Sequence, residues 1–97
     1  MVVGTLIVSV RLHDAHSLKE KRRPRRMLCD RARSRFKVAA AEVADHETWN
    51  LLTLAFSTVG PDRGPVEQVL RAVGDFVEDS GEGELIDETL HFERYDA

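Results

Sequence analysis

The sequence predicts a single α+β domain, residues 1–97, with the element order β-α-β-β-α-β. Three observations predict this order. Apolar residues alternate with polar ones at period two in several segments, as in half-buried strands. Apolar residues recur at helical spacing in two other segments, and turn-forming residues separate the segments. With 42% hydrophobic residues, the chain can bury one modest two-layer core.

Residues 2–12 are predicted to form the first strand. Leu6, Val8 and Val10 fall on one face, which is fully apolar, whereas the opposite face mixes apolar and polar side chains. This pattern is typical of a central strand that helices cover on one side only.

The first helix is predicted to begin after Ser17, because Ser17 and Glu20 have the spacing of a capping box. Pro24 leaves two alternatives: one continuous, kinked helix, which we slightly prefer, or a short turn followed by a helix that starts at Pro24. Beyond the proline, Leu28 and Ala32 continue an apolar stripe toward residue 36.

Residues 37–43 and 49–59 are predicted to be the second and third strands, joined by a turn at 44–47. Asp62 is predicted to cap the second helix, whose apolar residues recur at helical spacing from Val66 onward. Residues 85–94 are predicted to form the last strand. Right-handed crossovers then give a four-stranded antiparallel sheet in the order 4-1-3-2, with both helices on one face. This architecture is the ferredoxin-like sandwich.

The charge of the chain is distributed unevenly. The formal net charge is −3, but residues 11–37 carry eleven Lys and Arg against three acids, a local balance of +8. Residues 38–97 carry three Arg against fourteen acids, a balance of −11. The basic region is therefore the strongest functional feature of the sequence.

The first helix is predicted to bind phosphate groups, most simply those of RNA. Like charges four residues apart, such as Arg22 and Arg26, repel each other, so folding alone does not favour them. Arginine also suits bidentate contact with phosphate. Four or five phosphate contacts predict a slope of about −3 to −4 for log K against log salt. The alternative is that these side chains pair with the acidic second half. The predicted nucleic-acid-binding residues are Lys19, Lys21, Arg22, Arg23, Arg25, Arg26 and Arg33.

The open face of the predicted sheet offers a second candidate surface. Its apolar residues are expected to meet a second copy of the chain, because exposed apolar faces usually mark an interaction site. The predicted dimer interface comprises Val3, Ile7, Trp49, Leu51 and Ala55. One Trp near a strand end is no base-stacking platform for RNA on the sheet. A homodimeric protein-interaction or small-ligand-sensing domain is thus the alternative function.

Neither catalysis, a metal nor a cofactor is predicted. His13, Asp14, His16 and the turn 45–47 lack the close spacing of zinc ligands, and this topology can place the two groups at opposite ends of the sheet. Acylphosphatases of similar topology cradle phosphate in a glycine-rich loop, whereas residues 12–17 contain no glycine.

The single cysteine forms no internal disulfide, and no segment is apolar enough to span a membrane, so we expect a cytoplasmic protein.

Several segments together resemble the YlxP-like family of small bacterial proteins of unknown function. The most specific is HSLKEKRR at residues 16–23, and RFKV at 35–38 and AEV at 41–43 agree with it. The resemblance implies a ferredoxin-like fold and no established biochemistry. Genes of the family often sit beside those for translation initiation and ribosome maturation, which implies a role near RNA or the ribosome. Pro24 departs from the typical pattern of the family.

Overall fold

A computed structural model describes residues 1–97 and contains the six predicted elements in the predicted order. The four strands form one antiparallel sheet in the order β2-β3-β1-β4, which confirms the predicted ferredoxin-like sandwich. The elements are β1 (Val2–Leu12), α1 (Leu18–Phe36), β2 (Ala39–Ala44), β3 (Leu51–Gly60), α2 (Arg63–Asp79) and β4 (Gly83–Arg94).

The core lies between the sheet and the two helices. The strands β1 and β3 are paired in register, with Val8 opposite Leu54, so their even-numbered side chains share one face. This face packs against α2 through residues such as Leu70 and Val73, all fully buried. The alternation predicted for β1 therefore holds along its whole length.

Gly4 allows α2 to approach β1 closely. A Cβ atom at this position would lie 2.5 Å from Val66 and 2.8 Å from Leu70, which is shorter than ordinary carbon contacts. A larger residue would push α2 away from the sheet.

The helix α1 runs without interruption through Pro24, so the structure selects the continuous helix of the two alternatives. Ser17 caps α1 as predicted, whereas the reciprocal bond of the predicted capping box is displaced. The backbone N–H of Glu20 donates to Ser17 Oγ (3.1 Å), and Glu20 Oε2 accepts from the backbone N–H of His16 (3.0 Å). In a capping box Glu20 would accept from the backbone N–H of Ser17, so its bond here is one residue earlier.

Several details differ from the sequence-based expectations, among them the first residues of β2 and β4, which are Ala39 and Gly83. Asp62 occupies the N-cap of α2, but its side chain makes no capping hydrogen bond. One usual donor to such a cap is the N–H of the third helical residue, and here that residue is Pro65, which has none. The strand β3 begins at Leu51 rather than at Trp49. Neither helix has a stretch long and apolar enough to cross a membrane.

Candidate nucleic-acid interface

The inner side of α1 contains a buried lysine. Lys21 is only 2% exposed, and its ammonium group donates to the carbonyl oxygens of Asp45 (2.8 Å) and Thr48 (2.9 Å). Its Nζ also lies 2.8 Å from Glu42 Oε2. Lys21 is therefore removed from the predicted phosphate-binding set, because it points into the protein and joins α1 to the turn between β2 and β3.

Glu42 is the carboxylate that receives Lys21. It faces the helices because it lies opposite Leu54 in the register of β2 and β3. Its side chain is only 10% exposed, and its Oε1 is 3.4 Å from Arg25 and 3.3 Å from His46. Burial by itself raises the pKa of Glu42, but the contact with Lys21 and then that with His46 outweigh it, so the pKa is lowered. The Oε2 contact with Lys21 is an ion pair outside hydrogen-bond geometry.

Two more of the predicted cations have acidic partners. Both terminal nitrogens of Arg23 donate to Glu82 (3.1 and 2.6 Å), and this hydrogen bonding raises the pKa of Arg23. Arg33 donates to Asp30 (2.9 Å) and to the carbonyl of Ala40 in the edge strand β2 (2.6 Å). Pairing with the chain's own acids therefore accounts for part of the basic region.

The other three cations have no acidic side chain within salt-bridge distance. Lys19, Arg22 and Arg26 are exposed and recur at intervals of three and four residues, so they form a stripe on the outer face of α1. We call these three residues the basic stripe. Arg31 and Arg35 lie elsewhere, beside α2, where they line a cavity of about 490 Å³ with other residues including Asp75 and Asp79.

A groove between α1 and β2 borders the basic stripe. Its cavity of about 320 Å³ is lined by three arginines, two acids, one histidine and two small residues. Burial raises the pKa of the Cys29 thiol in its wall, so the thiol stays protonated at neutral pH. The lining residues are Arg25, Arg26, Cys29, Asp30, Arg33, Ala41, Glu42 and His46.

A second cavity of about 310 Å³ lies beside the connection from β1 to α1. Three carboxylates border it, those of Asp14, Glu20 and Glu82, against the cations Lys19 and Arg23. Because Glu82 already binds the guanidinium of Arg23, this cavity is less suited to an anionic ligand than the groove.

The connection before α1 and the turn between β2 and β3 lie at the same end of the sheet, contrary to one expectation. Because β1 and β3 are antiparallel, the end of β1 meets the start of β3, and the N–H of Leu12 donates to the carbonyl of Asn50 (2.9 Å). No group of three or more His, Cys, Asp and Glu side chains lies close enough to hold a metal ion.

The predicted dimer interface is only partly brought together. Val3, Ile7, Leu51 and Ala55 lie half-buried on the open face of the sheet, and Ile7 is directly opposite Ala55. Trp49 is not on that face. It belongs to the turn before β3 and contacts His16, with the two ring centres 5.9 Å apart.

Comparison with known proteins places the chain in a family. A family model described as "Protein of unknown function (DUF503)" matches residues 3–90. The chain belongs to the DUF503 family. A DUF503 relative from Bacillus subtilis (strain 168), described as uncharacterized protein YlxP, is 30% identical over 67 residues, 69% of this chain and 73% of the relative. The predicted YlxP-like resemblance is thereby confirmed.

One solved structure is similar over almost the whole chain. It is the crystal structure of acylphosphatase from Bacillus subtilis, with a TM-score of 0.58 and 16% sequence identity. The match covers 98% of this DUF503 chain and 88% of the acylphosphatase chain. At this identity the likeness shows a shared fold and carries no activity with it.

Proposed function

We propose that this DUF503 protein is an RNA- or ribosome-associated accessory protein that docks through the outer face of α1. The supporting observation is the basic stripe, in which Lys19, Arg22 and Arg26 have no acidic partner in a chain whose net charge is −3. Arg22 and Arg26 repel each other at this spacing, and neither packs against the core. A polyanion would relieve that repulsion.

The proposed mode of binding is contact with phosphates rather than with base edges. Lysine and arginine on an exposed helix position a nucleic acid through its backbone, which is largely independent of sequence. With three unpaired cations, log K is expected to fall against log salt with a slope of about −2 on single strands and −2.7 on a duplex. This slope is shallower than the −3 to −4 that about five contacts predict.

Charge reversal tests the proposal. The double variant Arg22→Glu/Arg26→Glu is expected to lose at least about tenfold in affinity for ribosomal RNA, measured by fluorescence anisotropy, and to stop co-sedimenting with ribosomal particles. The matched control is Arg71→Glu/Arg94→Glu, which changes the net charge equally on exposed residues outside α1. Equal loss in both variants, or none in either, would contradict docking through α1.

The alternative is a homodimer that forms through the open sheet face. Four half-buried apolar side chains from the two central strands favour it: Val3, Ile7, Leu51 and Ala55. In that case reversal of Arg22 and Arg26 leaves co-sedimentation unchanged, and light scattering gives twice the chain mass of 11.0 kDa. Small-ligand sensing, the absence of catalysis and a cytoplasmic location also stay predictions.

A further inference from the structure

Trp49 and His16 form an exposed aromatic pair next to the start of α1. Trp49 is 43% exposed, and its ring is tilted by 39° from that of His16 at a centre-to-centre distance of 5.9 Å. The chain has no other tryptophan. A partly exposed aromatic side chain beside a basic helix offers apolar surface to a partner.

Hydrogen bonds from both sides tie this pair to α1. Lys21 binds the carbonyl oxygens of Asp45 and Thr48, which belong to the turn that carries Trp49. His16 is held from the other side, since its backbone N–H donates to Glu20. The turn that carries Trp49 is therefore held by α1 as well as by the sheet, to which the carbonyl of Asn50 is bonded.

The groove between α1 and β2 runs from the arginines toward the turn that carries Trp49, and His46 of that turn is part of its lining. Arg33 contacts Ala40, Arg25 contacts Glu42, and Lys21 contacts Thr48, so α1 and the segment from β2 to the turn run antiparallel. Arg26 lines the groove. Arg22 lies one helical turn before Arg26, toward the end of the groove where Trp49 is found.

We propose that Trp49, backed by His16, stacks on an unpaired base of a single-stranded RNA whose phosphates follow Arg26 and Arg22 along the groove. This inference rests on the function proposed above and names its substrate class. Aromatic side chains and basic tracks are the two parts that single-stranded nucleic-acid sites combine. A duplex keeps its base faces covered, so it meets the basic stripe but not Trp49.

The fluorescence of the one tryptophan tests the proposal directly. Three probes separate the contributions: an oligouridylate of about 12 nucleotides, an RNA duplex of the same length, and inorganic polyphosphate as an anion without bases. Stacking is expected to quench Trp49 with the oligouridylate alone. The affinities of all three probes are measured by competition against a labelled RNA. Their dependence on salt measures the contribution of the basic stripe.

Variants divide the two contributions. Trp49→Ala is expected to weaken oligouridylate binding by about 5- to 150-fold and to leave duplex affinity unchanged, because one stacked base is lost. Trp49→Phe is expected to keep most of the affinity. The variant Arg22→Glu/Arg26→Glu weakens binding of all three probes.

The outcomes are distinct. If the oligouridylate binds without quenching Trp49, and Trp49→Ala binds it as tightly as the wild type does, stacking is wrong while docking stands. If no probe binds, both proposals fall. Should Trp49→Ala prove unfolded by circular dichroism, quenching of the wild-type protein by the oligouridylate, compared with the duplex and with polyphosphate, still decides between these results.

Discussion

The helices α1 and α2 each hold an ion pair with nitrogen and oxygen 2.8 Å apart, yet the two pairs lie in opposite environments. Lys21 and Glu42 join α1 to β2 in the interior, with 2% and 10% of their side chains exposed. Arg71 and Glu67 lie four residues apart on α2, and 60% of Arg71 is exposed. Since the distances are equal, we expect the two pairs to differ in energy because water screens the charges of one pair and not those of the other.

The contrast extends to how each helix packs. The inner face of α2 buries apolar side chains such as Val66, Leu70 and Val77, and the charged side chains of α2 lie outside the core. The inner face of α1 buries Lys21 and Pro24 beside Leu28, so part of its attachment to the sheet is polar. A helix anchored in this way depends on its inner cation, while its outer cations stay available for a partner.

Removal of the inner cation gives the largest expected effect. Lys21→Ala leaves Glu42 buried without its main partner and leaves two carbonyl groups without a donor. We expect the free energy of unfolding to fall by about 3–5 kcal/mol, measured by urea denaturation.

Lys19→Ala is the matched control for that variant. It removes the same side chain two residues earlier on the exposed face, and its effect is expected within about 0.5 kcal/mol. A loss below about 1 kcal/mol for Lys21→Ala would mean that water enters and solvates Glu42, and the contrast between the helices would then disappear.

The sequence was sufficient for the fold because each element carries its own local signal. Period-two alternation marks β1, helical spacing and flanking turns mark α2, and Ser17 with Glu20 marks the start of α1. The short connections then restrict the topology to very few arrangements.

The pairing of charges could not be predicted in the same way. Arg23 binds Glu82, which lies 59 residues away, and local patterns carry no information about that contact. Lys21 did carry a signal, since it is seven residues before Leu28 and therefore shares its buried face. The buried face of Lys21 could not be inferred from Leu28, because Pro24 lies between them and a proline can shift the helical phase.

Trp49 shows the same limit at a strand end. The alternating pattern of β3 continues back from Leu51 to residue 49, so the sequence predicts Trp49 on the open face of the sheet. The turn instead lies against α1, where Lys21 donates to the carbonyl oxygens of Asp45 and Thr48. Such tertiary contacts have no signature in the local sequence, so the surface that carries the tryptophan could not be predicted from alternation alone.

An effect of intermediate size is expected from Glu42, and it should depend on pH. Lys21 and His46 lower the pKa of Glu42 in the folded protein from its ordinary 4.5, so its stabilising contribution is complete above that value and is lost as the pH falls through the folded pKa. Glu42→Gln is therefore expected to cost about 1.5–3 kcal/mol at pH 7. The difference in the free energy of unfolding between this variant and the wild type should shrink steadily as the pH becomes acidic. Urea denaturation at a series of pH values measures it. A pH-independent difference would assign the loss to packing instead of charge.

The smallest effect is expected on α2. Arg71 lowers the pKa of Glu67 together with Arg63, but both arginines are exposed and their charges are screened by water and salt. Arg71→Ala should change the free energy of unfolding by no more than about 0.5 kcal/mol. That difference should vanish at about 1 M NaCl, where the screening length is about 3 Å, whereas the loss caused by Lys21→Ala should persist. A salt-resistant effect of Arg71→Ala would show that burial is not what separates these two ion pairs.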